Sequence, residues 1–300
     1  MKITVAIVTT GRSVILRGAI EDLKTQIRRP DRIIVSAADH TDITDTTAAD
    51  ATPAIDILIG PKGLTKQRNA VLDALTDEDV VLFLDDDFMM APDYLNRLGA
   101  LFHDHADVSV MTGNVLADGI SNAGLLPAEA RRILVQSAEQ PRDNIIVDVH
   151  NGYGCNMAFR CGPIREHNLR FDERLPLYGW LEDVDFSRKV AAHGRCVQAM
   201  DLLGVHLGTK GGRTSGRKLG YSQVANPLYL IGRKTMRPSH ALRMIGRNVA
   251  ANLAKSFWPE PWVDRRGRLW GNLTAFGDLL RGRLRPEAVT NLGSGNNGSA

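Results

Sequence analysis

The chain is short of the features that would place it outside the ordinary globular class. Its 300 residues include only three cysteines, Cys155, Cys161 and Cys196. The number is odd and no pair has C-x-x-C spacing, which excludes a disulfide framework and a zinc knuckle and fits a reducing cytoplasm. No apolar run reaches the ~18 residues that a membrane-spanning helix requires. The longest uncharged stretch near the C-terminus, Leu219–Gly232, is interrupted by Ser222, Gln223, Asn226 and Pro227. The opening segment MKITVAIVTTGR is too short in its apolar part, and too strand-like, to read as a signal peptide. No internal repeat is present. A large excess of positive charge is also missing: the formal net charge is +3, which argues against a dedicated nucleic-acid binder.

A second scarcity is local. Residues 207–285 hold only 3 Asp/Glu against 16 Lys/Arg, a balance of +13, whereas residues 1–206 hold 30 Asp/Glu against 21 Lys/Arg, a balance of −9. The modest total therefore hides an acidic body followed by a basic segment. Such a division suggests chemistry in the body and an anionic partner for the segment.

What is present is a succession of short β-branched runs alternating with helical periodicities. Residues 3–9, 32–36, 55–59, 80–84, 108–115, 156–159 and 195–199 read as strands. Leu16, Ile20, Leu23 and Ile27 fall at helical spacing after Ser13, and further helices are expected over 65–75, from Pro92 to about His105, and over 182–193. Residues 116–147 are irregular, and the Gly/Lys/Arg-rich residues 207–220 read as a mobile loop. This order predicts an α/β fold with a mainly parallel sheet flanked by helices. Ligands of such sheets bind beyond the carboxyl ends of the strands. That rule singles out Thr9-Thr10, Ala38-Asp39 and the triplet Asp85-Asp86-Asp87.

Three adjacent carboxylates repel one another and resist burial unless a cation or hydrogen bonds offset them. A bare triplet is as readily a solvated turn as a site. Its place at the end of an apolar strand favours a site, because alternation lets Asp85 and Asp87 face one point. Hard divalent ions such as Mg²⁺ or Mn²⁺ take one or two carboxylates together with phosphate oxygens. A metal–diphosphate site is the sharper reading.

The run VVLFLDDDFMMAPDYL resembles the DxD region of inverting family 2 glycosyltransferases of the GT-A fold, whose sheet is Rossmann-like. Five further segments resemble that family in the right order: IVTTGR, IIVSAADHTD, GLTKQRNAVLDAL, GCNMAFR and FDERLPLYGWLEDVDFSRKVAAHG. The resemblance as a whole covers roughly residues 3–234. The resemblance implies a nucleotide-sugar donor, with UDP favoured over GDP or TDP, and a divalent metal cofactor, Mn²⁺ or Mg²⁺. It implies that Asp39 accepts a hydrogen bond from the base and that Thr9, Arg68 and Asn69 support the nucleotide. Asp85 would meet the ribose or the metal shell, with Asp86 the middle residue, and Asp87 and His206 would bind the metal. Asp183 would be the general base, with Glu182 orienting base or acceptor. Trp180 and Tyr178 would offer a platform for a sugar ring, and Lys210 and Arg213 would belong to a lid over the diphosphate. Thr10-Gly11 departs from the family's usual aromatic-Asn after the first strand.

Residue types alone also allow duller roles. Glu182 and Asp183 are helix N-terminal acids that suit the dipole, Asp39 is a turn residue, and His206 is a lone histidine. The basic segment contains two amphipathic patterns. Leu242, Ile245, Val249, Leu253 and Phe257 recur at helical spacing, as do Leu269, Leu273, Phe276, Leu280 and Leu284, with Trp258, Trp262 and Trp270 around their connection. Basic helices with tryptophans suit an anionic membrane surface, and a helical pair packed on the protein is the alternative. The expected organisation is a catalytic domain over 1–235 (nucleotide half 1–115, acceptor half 116–235), a helical extension over 236–286 and a disordered tail over 287–300. The expected function is sugar transfer to a glycan or lipid-linked acceptor in cell-surface polysaccharide assembly, in the cytoplasm or on the inner face of the membrane. A nucleotidyltransferase and a non-catalytic nucleotide-binding protein are the alternatives, and no nucleic-acid partner is expected.

Overall fold

The structure, a computed structural model, describes residues 1–44, 55–138, 142, 144–211 and 214–293. The chain forms two compact units, Met1–Phe171 with Phe186–Gly212, and Asp172–Asp185 with Arg213–Ala300. This grouping differs from the boundary expected at residue 235, because residues 172–185 and 213–235 fall with the helical segment.

The first unit is built on a nine-stranded mixed sheet in the order β3-β2-β1-β4-β8-β6-β9-β5, with β7 on β9. Its strands are β1 (Ile3–Thr9), β2 (Arg32–Ala37), β3 (Ile55–Ile59), β4 (Val80–Asp85), β5 (Phe88–Met90), β6 (Val108–Asp118), β7 (Ile146–Asp148), β8 (Asn156–Arg160) and β9 (Arg195–His206). The β3-β2-β1-β4 half is parallel throughout. β8 then runs antiparallel to β4 and β6, while β6 and β9 are parallel.

Side chains alternate across the strands, so each strand serves two cores. Ile3, Val5 and Ile7 of β1, with Val80, Leu82 and Leu84 of β4, meet Leu16, Ile20 and Leu23 of α1 (Ser13–Lys24). The same cluster takes Leu95, Leu98, Leu101 and Phe102 of α3 (Tyr94–Asp104). Ala6, Val81 and Phe83 point the other way, onto Val71 and Leu72 of α2 (Leu64–Ala74) and onto Phe159, Phe171 and Phe186. Each buried Ile, Leu or Phe contributes about 1.5–3 kcal/mol. A one-residue slip of β1 or β4 would expose a whole set, which fixes the register. The three cysteines are buried and unbridged.

Register places the strand ends. Val8 pairs with Asp85 across β1–β4, and Thr9 pairs with Ala37 across β1–β2. β9 runs on to His206, well past the expected end at Ala199, because it is paired on both sides. His206 lies opposite Phe88 of β5 and Asp118 of β6. The short strand β5 and the extension of β6 to Asp118 were not expected. The irregular stretch 116–147 includes a helix, α4 (Pro127–Ala138), whose Ala130 and Leu134 pack on Met89, Leu203 and Val205.

A short helix, α5 (Cys161–Glu166), follows β8, and α6 (Glu182–Val190) begins among residues of the second unit and ends in the first. The second unit also holds α7 (Gly216–Gly232), α8 (Pro238–Lys255), α9 (Arg265–Leu280) and a 3-10 helix over Pro286–Asn291. Residues 216–220, expected to be loop, are thus the first turns of α7. The 3-10 helix lies in the expected disordered tail, whose last residues, 294–300, are outside the described residues. Glycine lets α7 and α9 touch backbone to backbone. A Cβ on Gly220 would come within 2.0 Å of the Arg268 carbonyl oxygen, and one on Gly271 within 2.1 Å of that of Arg217. Around this contact pack Tyr221, Val224, Ala225, Ile245, Ala275 and Val289.

Candidate functional site

The carboxyl ends of β1 and β4, the turn between β4 and β5 and the end of β9 meet at one cluster in the first unit. Asp85, Asp87 and His206 each offer a ligand atom, and those atoms all lie within 4.8 Å of one another. Nε2 of His206 is 3.4 Å from Oδ1 of Asp87 and 3.8 Å from Oδ2 of Asp85. These are three of the residues to which the family resemblance gave a role at the donor and its metal.

The ligand atoms are held by their neighbours. Nδ1 of His206 is 2.9 Å from Oδ1 of Asp118, whose other oxygen accepts the Tyr153 hydroxyl at 2.6 Å. Pairing Nδ1 with a carboxylate turns Nε2 toward Asp85 and Asp87, the arrangement by which proteins orient a ligating histidine. Oδ2 of Asp87 accepts the Thr209 amide at 2.7 Å, and its main-chain carbonyl accepts the Leu207 amide at 2.9 Å. Asp118, Tyr153 and Thr209 had no signal in the sequence. They become neighbours only through the β5–β9–β6 register and the turn that follows it.

Asp86 points elsewhere. Its carboxylate accepts the Thr9 hydroxyl at 2.8 Å and Nη1 of Arg12 at 2.9 Å, so it fastens the turn after β1 to the turn after β4. Arg12 also reaches to 3.7 Å of Asp87, and it is a site residue that the sequence reading passed over. Thr9, with its hydroxyl on Asp86 and its carbonyl on Gln67 Nε2, braces the strand end from within.

The charges of the cluster follow from burial and pairing. Burial pushes the Asp86 carboxyl up to about 7, against the pull of Arg12. Burial acts on Asp87 in the same direction. There the hydrogen bond and charge of His206, the Thr209 amide and Arg12 outweigh it and bring the carboxyl down to about 2. Burial disfavours the charged imidazole of His206, but its bonds to Asp118 and Asp87 and the charge of Asp85 outweigh that and raise it to about 10. A negative field that favours imidazolium this strongly also favours a divalent cation. Two carboxylate oxygens and one imidazole nitrogen fit Mn²⁺ or Mg²⁺. Asp85, Asp87 and His206 would hold such an ion.

Other expected residues have different settings. Arg68 is buried, donates to the Gly154 carbonyl at 3.0 Å, and lies 3.6 Å from Asp85 between Phe83 and Phe171. It puts a fixed positive charge under the cluster. Asn69 exchanges two hydrogen bonds with the backbone of Phe171, at 3.1 and 2.9 Å, and so pins the chain leaving the first unit. Asp39 is exposed, and its carboxylate caps a 3-10 helix (His40–Ile43) by accepting the amide and hydroxyl of Thr41, both at 2.8 Å. The more deeply set carboxylate there is Asp42, which accepts the amides of Ala38 and Asp39 at 3.1 Å. Lys210 donates to the carbonyls of Gly119 and Ile120 at 2.8 and 3.1 Å, which ties the segment after β9 to the end of β6. Arg213 lies outside the described residues.

The remaining expected residues belong to the second unit. Glu182 and Asp183 open α6, Glu182 buried and Asp183 half-buried. The segment before them is contorted: Leu177, Gly179 and Leu181 have φ of 60°, 60° and 72°. Leucine seldom takes that conformation, and local backbone strain of this kind concentrates at functional sites. It is held by Trp180, whose carbonyl accepts Nδ2 of Asn226 at 2.7 Å, and by Leu181 and Val184, which pack on Leu175 and Leu230. Tyr178, beside Trp180, is exposed.

Comparison with known proteins bears on the family and the fold. The sequence profile of Glycosyl transferase family 2 matches residues 4–167, while no curated protein matches the chain by sequence. Among solved structures, that of S. aureus TarS 1-349 has a TM-score of 0.57 at 14% identity, covering 95% of this chain and 82% of that one. The same fragment in complex with UDP-GlcNAc has a TM-score of 0.57 at 15% identity, covering 97% and 84%. Mannosyltransferase PcManGT from Pyrobaculum calidifontis, in complex with GDP-Man and Mn²⁺, has a TM-score of 0.54 at 17% identity, covering 98% and 88%. At these identities the likeness is one of fold. The profile match spans more than half of the chain, including the ends of β1 and β4 and the Asp85-Asp86-Asp87 triplet, and the chain therefore belongs to glycosyl transferase family 2, as a glycosyltransferase-type enzyme of the GT-A fold.

Proposed function

We propose that the enzyme moves a sugar, with inversion, from a nucleotide-sugar donor to a hydroxyl of a glycan or lipid-linked acceptor in cell-surface polysaccharide assembly. The observation that carries this reading is the Asp85–Asp87–His206 cluster at the carboxyl ends of the parallel strands of a family 2 chain. The solved structures it resembles were obtained with UDP-GlcNAc in one case and with GDP-Man and Mn²⁺ in another, which supports a nucleoside diphosphate leaving group. A UDP-sugar is the favoured donor.

A divalent ion on the cluster, Mn²⁺ or Mg²⁺, would neutralise the diphosphate charge. Asp87, held ionised, and His206, held by Asp118, keep that position; Arg68 and Arg12 set positive charge around it, and Asp39 lies at the end of β2 for the base. Asp183 takes the proton of the acceptor hydroxyl as its oxygen bonds to the anomeric carbon. The bond from that carbon to the diphosphate breaks, and its electron pair leaves with the nucleoside diphosphate. Glu182 orients the acceptor or the base, and Trp180 offers an apolar face for a sugar ring. A lipid-linked acceptor would bring the enzyme to the inner face of the cell membrane.

The test is donor turnover on a panel of UDP-, GDP- and TDP-sugars with Mn²⁺. Release of one nucleoside diphosphate, absent in Asp87→Ala, is the expected result. Release of pyrophosphate from a nucleoside triphosphate and a sugar phosphate would instead indicate a nucleotidyltransferase. No turnover and no nucleotide binding with any donor would end the proposal.

A further inference from the structure

In the three-helix part of the second unit, small and polar residues lie between the helices beside the apolar cluster of Tyr221, Val224 and Ile245. Asn252 donates to Gln223 and Asn272 at 2.8 and 2.9 Å, and Asn272 donates to the Gly220 carbonyl at 2.7 Å. Gly271 and Ala275 share that buried face of α9. Seven large apolar side chains nonetheless point outward. Trp258 is 85% exposed, Phe257 and Trp270 66%, and Leu280 89%, with Leu242, Leu253 and Leu273 also more than half exposed. On α8, Leu242, Gly246, Ala250 and Leu253 repeat every three or four residues and lead to Phe257; on α9, Trp270, Leu273 and Leu280 form a stripe of their own. Exposed Arg243 and Arg247 flank the first stripe, and Arg266 and Arg281 lie at the two ends of the second. Interhelical contacts made by glycine and asparagine, with bulky apolar groups outside, resemble the packing of helices that face lipid.

We infer that the outward faces of α8 and α9, with the Phe257-Trp258 corner, dock on an anionic bilayer surface. Two features of the chain favour lipid over a protein partner. The +13 balance of residues 207–285 complements anionic headgroups, and the exposed apolar groups are interleaved with arginine rather than set as an apolar centre with a polar rim. No helix among the described residues is long and apolar enough to cross a membrane, so the helices would lie in the interface. The inference deepens the reading of a lipid-linked acceptor, but its evidence is confined to the second unit.

The test uses the intact chain and vesicles that contain no acceptor. Vesicles of phosphatidylcholine alone are compared with vesicles carrying about one-third phosphatidylglycerol, by sedimentation and by tryptophan fluorescence. Binding to the anionic vesicles only, a blue-shifted emission, and weakening with added salt are expected. The variant Trp258→Ser/Trp270→Ser/Leu273→Ser should lower partitioning about tenfold or more. Arg243→Gln/Arg247→Gln should lower it less and flatten the salt dependence. All five positions are exposed, so the melting temperature should hold in both variants. Equal sedimentation of the intact chain and the triple variant would overturn the inference, as would self-association that the triple variant abolishes without any vesicle binding. Donor turnover, measured separately in solution, can succeed or fail independently of these outcomes.

Discussion

At the scale of single residues, the cluster depends on groups outside its three candidate ligands. Asp118 fixes His206 through Nδ1, and Tyr153 fixes Asp118. Asp118→Asn keeps the shape but loses the charge that orients the imidazole. Affinity for Mn²⁺, read by electron paramagnetic resonance of the free ion, should fall about 10- to 100-fold, and Tyr153→Phe should lower it less. Unchanged affinity in Asp118→Asn would show that His206 is not oriented this way. Asp118 could not be found from sequence. It stands at the end of a strand in a stretch without regular patterning, and only pairing with a histidine 88 residues later gives it a role. The triplet was legible because three carboxylates after an apolar strand are costly wherever they fall. Even so, its members diverge: Asp85 and Asp87 face His206, and Asp86 faces Thr9 and Arg12.

A second residue-scale expectation concerns pH. Burial raises the Asp93 carboxyl, but hydrogen bonds from Arg97 and Arg142 outweigh it and hold the group below the usual carboxylate range. A depressed folded pKa contributes stability above the unfolded value of about 4, and that contribution is lost as the pH falls through the folded value. Asp93→Asn should therefore cost roughly 1–2 kcal/mol at neutral pH. The gap should close in acid below about pH 4. Denaturant unfolding at both pH values checks this, and a gap that persists in acid would refute it.

At the scale of elements, the β-branched runs identified the central strands because a strand buried on both faces must be apolar throughout. β5 and the second half of β9 escaped notice for the opposite reason. Three residues after a turn carry little pattern, and Met200–His206 mixes glycine, aspartate and histidine among its apolar residues. In α8 and α9 the periodicity was legible and the burial was not. Equal apolar spacing on two sides of a helix does not say which side is inside, and here backbone contact at glycine decides. Gly220→Ala places a methyl group 2.0 Å from the Arg268 carbonyl oxygen. Backbone on both sides cannot yield without separating α7 from α9, so a loss of about 1–3 kcal/mol is expected. Thermal unfolding should show it, whereas Gly246→Ala, with nothing within 4 Å, should be neutral or stabilising. Equal melting of the two variants would count against the close crossing.

At the scale of the whole molecule, the small net charge is the sum of two unlike parts. The acidic body carries a cluster suited to a cation and, through it, to a diphosphate. The basic segment ends in helices whose outward faces suit an anionic surface. Family membership follows from the first part, whereas the second carries the proposed membrane contact. The most direct measurement of the central claim is calorimetric titration of UDP and GDP into the protein with Mn²⁺ and after chelation. Binding of one nucleotide that requires the metal, and that is lost in Asp87→Ala and weakened in His206→Ala, is expected. Nucleotide binding unchanged by chelation and by both substitutions would contradict the claim that Asp85, Asp87 and His206 hold the ion that receives the diphosphate.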